Sequence, residues 1–347
     1  MKKHKYVCNP IFDPKKRDQD WGDPVIWILE DGGAISIATA SPTKCEGVFQ
    51  PRLQMAYSPR GLGGKWKIIQ EFFPPSWAEG AERMWAPSLS QHPDTGKWLL
   101  EYCVDKKGEG MALGVMTADH IMGPYTDLGY PVKSSSPDPR IPSWANIDSQ
   151  RIYVKGKKGK SKALIASGSG HEPIRIQPVR KDGTIDPDEQ GVVIAFPNTD
   201  KYGHLISKNV RKSLTKYEHL LEGVYVLYHP KKKRWYAFIS AGTTHKYRGY
   251  AVVVYTAEDW RGPWIRSNIA LEYNKSWGAT GQIFLFQKGG KGPFWAAYHA
   301  ASRNKKRRRM PGGGIPRVLM GDRVHFGKDK VLIGKGSPTS GPQKFPR

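Results

Sequence analysis

The chain has 347 residues, and its 55 lysines and arginines against 31 aspartates and glutamates give a net charge of +24. No apolar run approaches the length of a membrane-spanning helix. The three cysteines, Cys8, Cys45 and Cys103, are too few for a disulfide scaffold and lack metal-binding spacing, so one bridge or three free thiols are both compatible with them.

The first predicted unit begins at Asp23, where residues 23–29 form a short apolar run that resembles a strand. The same unit contains residues 58–66, which start with Ser-Pro and end with Gly-Lys-Trp. This is the weakest copy of a motif that returns twice later in the chain.

The second unit begins near Trp85 and contains two motifs that return in the fourth unit. A His-Pro turn leading to tryptophan occupies residues 92–98 and 229–235. A Thr-Ala-acid motif leading to Gly-Pro-aromatic occupies residues 117–125 and 256–264. The two offsets, 229 − 92 = 137 and 256 − 117 = 139, are nearly equal and indicate a repeat. The two copies of each motif lie two units apart, so one unit has about 60–70 residues.

The remaining units open on Asp148, Glu222 and Gln282. Runs such as Tyr-Val-Leu-Tyr and Ala-Val-Val-Val-Tyr are β-branched or aromatic and too short for helices. The 27 prolines and 38 glycines separate these runs as turns do. Four strands per unit, repeated radially, are typical of a propeller blade.

We therefore predict an all-β protein, a five-bladed β-propeller that forms one domain over residues 1–347. The inner strands are predicted to start near Asp23, Trp85, Asp148, Glu222 and Gln282.

Six short motifs follow one another along the chain: Asp-Pro at 23–24, Trp-Ala-Pro at 85–87, Gly-Pro-Tyr-Thr-Asp at 123–127, Ile-Asp at 147–148, Glu-Gly at 222–223, and Tyr-His at 298–299 with Arg317 after it. In kind and order they resemble the motifs of glycoside hydrolase family 43, whose members are five-bladed β-propellers that act on arabinose- and xylose-containing polymers. Three residues depart from the pattern. Ser88 stands where an acid is usual, Ser149 where a proline is common, and Gln282 where a histidine is common.

The resemblance implies that Asp23 is the general base, Glu222 the general acid and Asp148 the third acid of an inverting glycosidase. Inversion needs two carboxyl groups roughly 6.5–9.5 Å apart, so that a water molecule fits between base and sugar. Asp148 is predicted to modulate the pKa of Glu222 by like-charge repulsion and to orient it. Taken singly, Asp23 and Asp148 are also compatible with turn or strand-start roles. A glutamate that opens an apolar strand is harder to explain without a functional role.

Sugars present apolar C–H faces, so aromatic side chains near the acids are candidates for stacking on substrate. The predicted substrate-binding residues are Trp85, Trp144, Trp277, Gln282, His299 and Arg317. Core packing is the alternative role for each tryptophan, and a hydrogen-bonded core histidine is the alternative for His299.

No metal-binding residues are predicted and no cofactor is expected to be required. An axial calcium ion, which the family's histidine can help to bind, is brought into question by Gln282. The expected partner is a polysaccharide or oligosaccharide, and the charge of +24 favours an acidic one. No nucleic-acid module and no membrane association are predicted.

The resemblance implies secretion, although no apolar run typical of a signal peptide follows the first residues. The alternative function is a non-catalytic propeller that binds carbohydrate or another polyanion through its basic surface. The basic run at residues 305–309 fits either such a contact or a solvated loop.

Overall fold

The structure is a computed structural model that describes residues 6–14, 20–45, 48–106, 110–134, 146–156, 159–185, 191–198, 217–244, 246–303 and 316–345. Within these ranges the regular elements are strands and one short 3₁₀ turn, Ser76–Ala78. None of the described segments is a helix long and apolar enough to cross a membrane.

The strands follow one another in short pieces separated by turns. They are β1 Tyr6–Val7, β2 Gly22–Ile28, β3 Ala34–Cys45, β4 Val48–Ser58, β5 Lys67–Phe72, β6 Met84–Gln91, β7 Trp98–Lys106, β8 Gly110–Ala118, β9 Thr126–Asp127, β10 Gln150–Lys155, β11 Ser161–Ser167, β12 Ile174–Pro178, β13 Val192–Ala195, β14 Leu221–His229, β15 Arg234–Gly242, β16 Tyr250–Ala257, β17 Ile265–Leu271, β18 Trp277–Lys288, β19 Lys291–Ser302, β20 Arg317–Phe326, β21 Val331–Ile333 and β22 Gln343–Lys344.

Five four-stranded sheets hold these strands in chain order: β2–β5, β6–β9, β10–β13, β14–β17 and β18–β21. Each sheet is a meander, as a propeller blade requires. The prediction of an all-β, five-bladed β-propeller is confirmed. The first strands of the sheets begin within two residues of the predicted starts in four sheets, and five residues before Gln282 in the last.

The repeated Gly-Pro-aromatic motif makes the same contact in each of its three copies. The aromatic side chain donates a hydrogen bond to the carbonyl four residues before it. Tyr125 Oη does so to Ile121 at 2.9 Å, and Trp264 Nε1 to Trp260 at 3.1 Å. In the weakest copy, Trp66 Nε1 bonds the carbonyl four residues earlier at 3.4 Å. The sequence repeat is therefore a repeat of local structure.

The chain divides into two compact units. Unit 1 comprises Met1–Phe72, Ile239–Val254 and Arg266–Arg347. In its core, Trp21 is fully buried and donates from Nε1 to Ser36 Oγ at 3.1 Å, so its one polar atom is satisfied.

Unit 2 comprises Phe73–Phe238 and Tyr255–Ile265. One of its core clusters joins residues from the sheets β6–β9 and β10–β13, among them Ala86, Cys103, Leu113, Ile147 and Ile165. Burial of such aliphatic side chains, at about 25 cal/mol per Å² of apolar surface, is the main force that holds neighbouring sheets together.

The two ends of the described chain meet within unit 1. Tyr6 and Val7 of β1 pair in antiparallel fashion with Lys344 and Gln343 of β22. Asn9 extends this junction, because its Nδ2 donates to Asp322 Oδ2 at 2.9 Å. The first and last described strands thus pair with each other, and Asn9 joins this pair to β20.

Candidate active site

A left-handed backbone bend occurs near the start of the first strand in successive sheets. The φ angle is 50° at Asp23, 48° at Ala86 and 57° at Asp148, and Gly223, the residue after Glu222, has φ 61°. In the first two sheets the strand register shifts at the bend, as in a β-bulge. Such backbone is costly for residues other than glycine, although aspartate tolerates it better than most. The three predicted acids therefore lie at or directly before one recurring feature.

Asp23 lies in an ionic cluster of unit 1. Its Oδ1 accepts a hydrogen bond from Arg317 Nη1 at 3.0 Å, and its Oδ2 accepts one from Thr39 Oγ1 at 2.7 Å. Arg317 is held in turn by buried Asp20, whose Oδ2 accepts from Nη2 at 2.6 Å and from Nε at 2.9 Å. The guanidinium thus bridges two carboxylates and fixes the position of Asp23.

This cluster keeps Asp23 ionised. Burial alone raises the pKa of Asp23, but the charge of Arg317 and the hydrogen bond from Thr39 outweigh it. The net effect holds the pKa of this carboxyl far below its usual range.

His299 is fully buried next to Asp23, and its ring lies parallel to that of Tyr250 with 5.8 Å between centroids. The backbone N–H of Asp23 donates to Nδ1 of His299 at 3.1 Å. Since Nδ1 accepts this proton, we assign a neutral ring with its proton on Nε2. The 3.3 Å contact between Nδ1 and Asp23 Oδ1 then joins two acceptors and is not an ion pair.

The neutral form agrees with the direction of the pKa shift of His299. Burial lowers this pKa, although Asp23 opposes the shift. Nε2 has no hydrogen-bond partner among the described residues. The ring therefore offers a buried donor that a water molecule could use.

Asp148 and Glu222 lie on neighbouring sheets of unit 2. The backbone N–H of Gly223 donates to Asp148 Oδ2 at 3.1 Å, so Asp148 binds the peptide that follows Glu222. The hydroxyl of Ser169 donates to Glu222 Oε2 at 3.3 Å. Asp148 thus holds the backbone next to Glu222, and Ser169 holds its carboxyl group, so both contacts can orient Glu222.

The predicted aromatic residues occupy different environments. Trp85 is partly buried against the core of unit 2, and the guanidinium of Arg83 lies 5.1 Å from its ring centroid. Trp277 is partly buried at the start of β18 in unit 1, where its backbone N–H donates to Asn274 Oδ1 at 2.9 Å. Trp144 lies outside the described residues.

Strand β18 has two left-handed positions, Ala279 with φ 49° and Gln282 with φ 53°. The backbone N–H of Gln282 donates to Ser240 Oγ at 2.7 Å within unit 1. The two other departures from the family pattern, Ser88 and Ser149, are both buried in unit 2.

Three residues of these clusters were missed in the sequence: Asp20, Thr39 and Ser169. Asp20 carries the clearest signal, a second acid three residues before Asp23. Its partner Arg317 is 297 residues away along the chain, so spacing alone did not identify the pair.

The described residues contain no group of three or more histidine, cysteine, aspartate or glutamate side chains that could hold a metal ion.

Residues 64–331 match the glycosyl hydrolases family 43. The match includes Asp148, Glu222, His299 and Arg317, whereas Asp23 precedes it.

Among curated proteins, an extracellular endo-α-(1→5)-L-arabinanase of Thermotoga petrophila is 26% identical over 198 residues. That alignment covers 54% of this chain and 38% of the arabinanase, so it spans well under half of the relative's length.

Two solved structures share the fold. The α-L-arabinanase of Cellvibrio cellulosa in complex with arabinohexaose has a TM-score of 0.66 and 18% identity, with 91% of this chain and 96% of that chain covered. The xylan β-1,4-xylosidase of Bacillus halodurans has a TM-score of 0.67 and 16% identity, with 98% of this chain and 60% of that chain covered.

Proposed function

The chain belongs to glycosyl hydrolases family 43, and we propose that it is an inverting glycoside hydrolase that cleaves arabinose- or xylose-containing plant cell-wall polysaccharide. The observation that carries the proposal is that three carboxylates hold equivalent positions along the first strands of their sheets. Asp23 and Asp148 occupy the left-handed bend that opens their strands, and Glu222 directly precedes one. Strained backbone of this kind persists where the surroundings fix it and often marks functional residues.

In this proposal Asp23 is the general base. Its low pKa keeps it ionised at every working pH, so it can always accept a hydrogen bond from the attacking water. A carboxylate of such low pKa is a weak base. The water becomes strongly acidic as it bonds to the oxocarbenium-like sugar, however, and a weak base then suffices.

Glu222 is the proposed general acid, which protonates the leaving oxygen as the glycosidic bond breaks. Asp148 positions it, because it holds the N–H of Gly223, the next residue in the chain. We further propose that the carboxylate of Asp148 favours the protonated form of Glu222, as the acid role needs.

Arabinan is the first candidate for the substrate, because the curated relative is an arabinanase and a protein of the same fold is known in complex with arabinohexaose. Xylan is the second candidate, since a xylosidase shares the fold. The relative's extracellular description also supports secretion of this protein. The partly buried Trp85 and the guanidinium of Arg317 are proposed to contact the sugar, and the buried donor at His299 Nε2 is proposed to bind it through a water molecule.

The test is hydrolysis of arabinan, arabinoxylan, xylan and galactan, with the first product followed by NMR to read its anomeric configuration. We expect release of arabinose or arabino-oligosaccharides with inverted configuration. Retained configuration would contradict the mechanism. Binding of polysaccharide without hydrolysis of any substrate would instead favour the non-catalytic propeller.

A further inference from the structure

The first strands of the three sheets β6–β9, β10–β13 and β14–β17 run in the same direction through unit 2. From β10 to β14, Asp148 contacts Gly223, and further on Gln150 exchanges two hydrogen bonds with Val226. Between the sheets β6–β9 and β10–β13, the ring of His92 lies 5.1 Å from that of Tyr153. The turns that follow these strands therefore meet at one end of unit 2.

This end is remote from Glu222. Glu222 stands at the start of β14 and His229 at its end. At about 3.3 Å per residue the strand spans roughly 23 Å between them. That is well beyond the screening length of about 8 Å at physiological ionic strength. Charges here thus act apart from the chemistry at Glu222.

The turns at this end carry many exposed basic side chains. Some face acids: Lys97 lies 3.8 Å from Asp119, and Arg234 lies 3.7 Å from Glu258. Others have no carboxylate within ion-pair distance among the described residues. These are Lys155, Lys160, Lys231 and Lys233, which we call the turn lysines.

Contacts between sheets hold the turns in place. Asp94 Oδ1 and Oδ2 accept hydrogen bonds from the hydroxyl and the N–H of Ser161, at 2.9 and 3.0 Å. Lys162 lies 5.8 Å from the ring centroid of Trp260 on the next sheet. The positive charges are therefore presented on a fixed frame, which lowers the ordering cost of binding a polymer.

Aromatic rings accompany the charges. Tyr228, near the end of β14, is 42% exposed and its ring lies 5.3 Å from that of Trp235. Together with partly buried Trp260, these rings offer apolar surfaces beside the lysines. A ligand that alternates apolar ring faces with negative charges would match both features.

We propose that the turn lysines and the neighbouring rings form a second binding surface for a uronate-bearing polysaccharide. Each uronate unit carries one carboxylate for a lysine and one apolar sugar face for an aromatic ring. Such a surface would keep the enzyme on an acidic cell-wall polymer while the acids act on a neutral chain. The choice of a polysaccharide rests on the proposed function.

The test compares two triple variants that lose the same charge. The first is Lys160→Gln with Lys231→Gln and Lys233→Asn, where asparagine suits the left-handed backbone of Lys233, φ 49°. The control is Lys65→Gln with Lys67→Gln and Lys328→Gln, three exposed lysines of unit 1. Binding to polygalacturonate is measured by affinity electrophoresis at low and physiological salt, with neutral arabinan and single-stranded DNA as comparison ligands.

We expect the turn variant to bind polygalacturonate about tenfold more weakly, roughly a factor of two per exposed charge, with the control near wild type. Hydrolysis of a small aryl glycoside should be unchanged in both variants. Equal loss in the two variants would overturn the proposal, and so would tighter binding of DNA than of polygalacturonate through the same lysines. Absence of hydrolysis with this binding pattern intact would overturn the proposed function alone.

Discussion

At the scale of single residues, the decisive arrangement is the chain of contacts from Asp20 through Arg317 to Asp23. The positive charge of Arg317 lowers the pKa of Asp23, whereas burial raises it. Removal of the guanidinium would therefore leave a buried carboxyl whose pKa rises.

We predict that Arg317→Gln shifts the acidic limb of the profile of kcat/KM against pH to higher pH. In the wild type Asp23 stays ionised throughout the range, so that limb does not report it. In the variant Asp23 becomes protonated as the pH falls, and the base is lost. Arg323→Gln, an exposed position on the same strand, is the control and should leave the profile unchanged. An unchanged profile in Arg317→Gln would contradict the role of Arg317.

At the scale of elements, the recurring left-handed bend explains why acids from separate sheets occupy equivalent positions. In β6 the bend falls on Ala86, which is 4% exposed and has no part in the proposed chemistry. A substitution at Ala86 therefore measures the free-energy cost of the left-handed backbone without changing a residue of the proposed chemistry.

We predict that Ala86→Gly leaves the free energy of unfolding within about 0.5 kcal/mol of wild type, because relief of left-handed strain offsets the added chain entropy. Ala112→Gly, at a similarly buried position of β8 with ordinary backbone, should cost about 1 kcal/mol or more. Denaturant titration compares the two. An equal loss at both positions would mean that the bend stores no strain.

The bends also show how far the sequence determines the site. The strand starts and the positions of Asp23, Asp148 and Glu222 follow from local periodicity, so they could be predicted. The contacts could not: the hydrogen bond from Asp23 to His299 joins residues 276 apart, and that from Arg317 to Asp23 joins residues 294 apart. Arg317 was identified through a family resemblance, and Asp20 was not identified from the sequence.

At the scale of the whole molecule, the repeat period of the sequence predicts the five sheets, but not how the ends of the chain are joined. The pairing of β1 with β22 joins residues from the two ends of the chain, beyond any local signal. Next to it, Phe345 is 8% exposed and packs edge-on against Trp295 with ring centroids 5.0 Å apart.

We predict that Phe345→Ala lowers the free energy of unfolding by about 2–4 kcal/mol, because it removes a large buried side chain from this junction. Phe196→Ala is the control, since that ring is 59% exposed, and should change stability by no more than about 0.5 kcal/mol. Both are read by denaturant unfolding. A loss below 1 kcal/mol in Phe345→Ala would mean that the terminal strand is dispensable.

The measurement that tests the central claim most directly is the dependence of hydrolysis on the leaving group in Glu222→Gln and Asp23→Asn. The substrates are aryl arabinofuranosides or xylosides, one with a poor leaving group and one, a dinitrophenyl glycoside, that departs without a proton. We predict that Glu222→Gln loses about 10²–10⁴-fold in rate on the poor leaving group and retains most of its rate on the dinitrophenyl substrate. Asp23→Asn should be slow on both. Equal losses of Glu222→Gln on the two substrates, or selective rescue of Asp23→Asn, would contradict the assigned roles of acid and base.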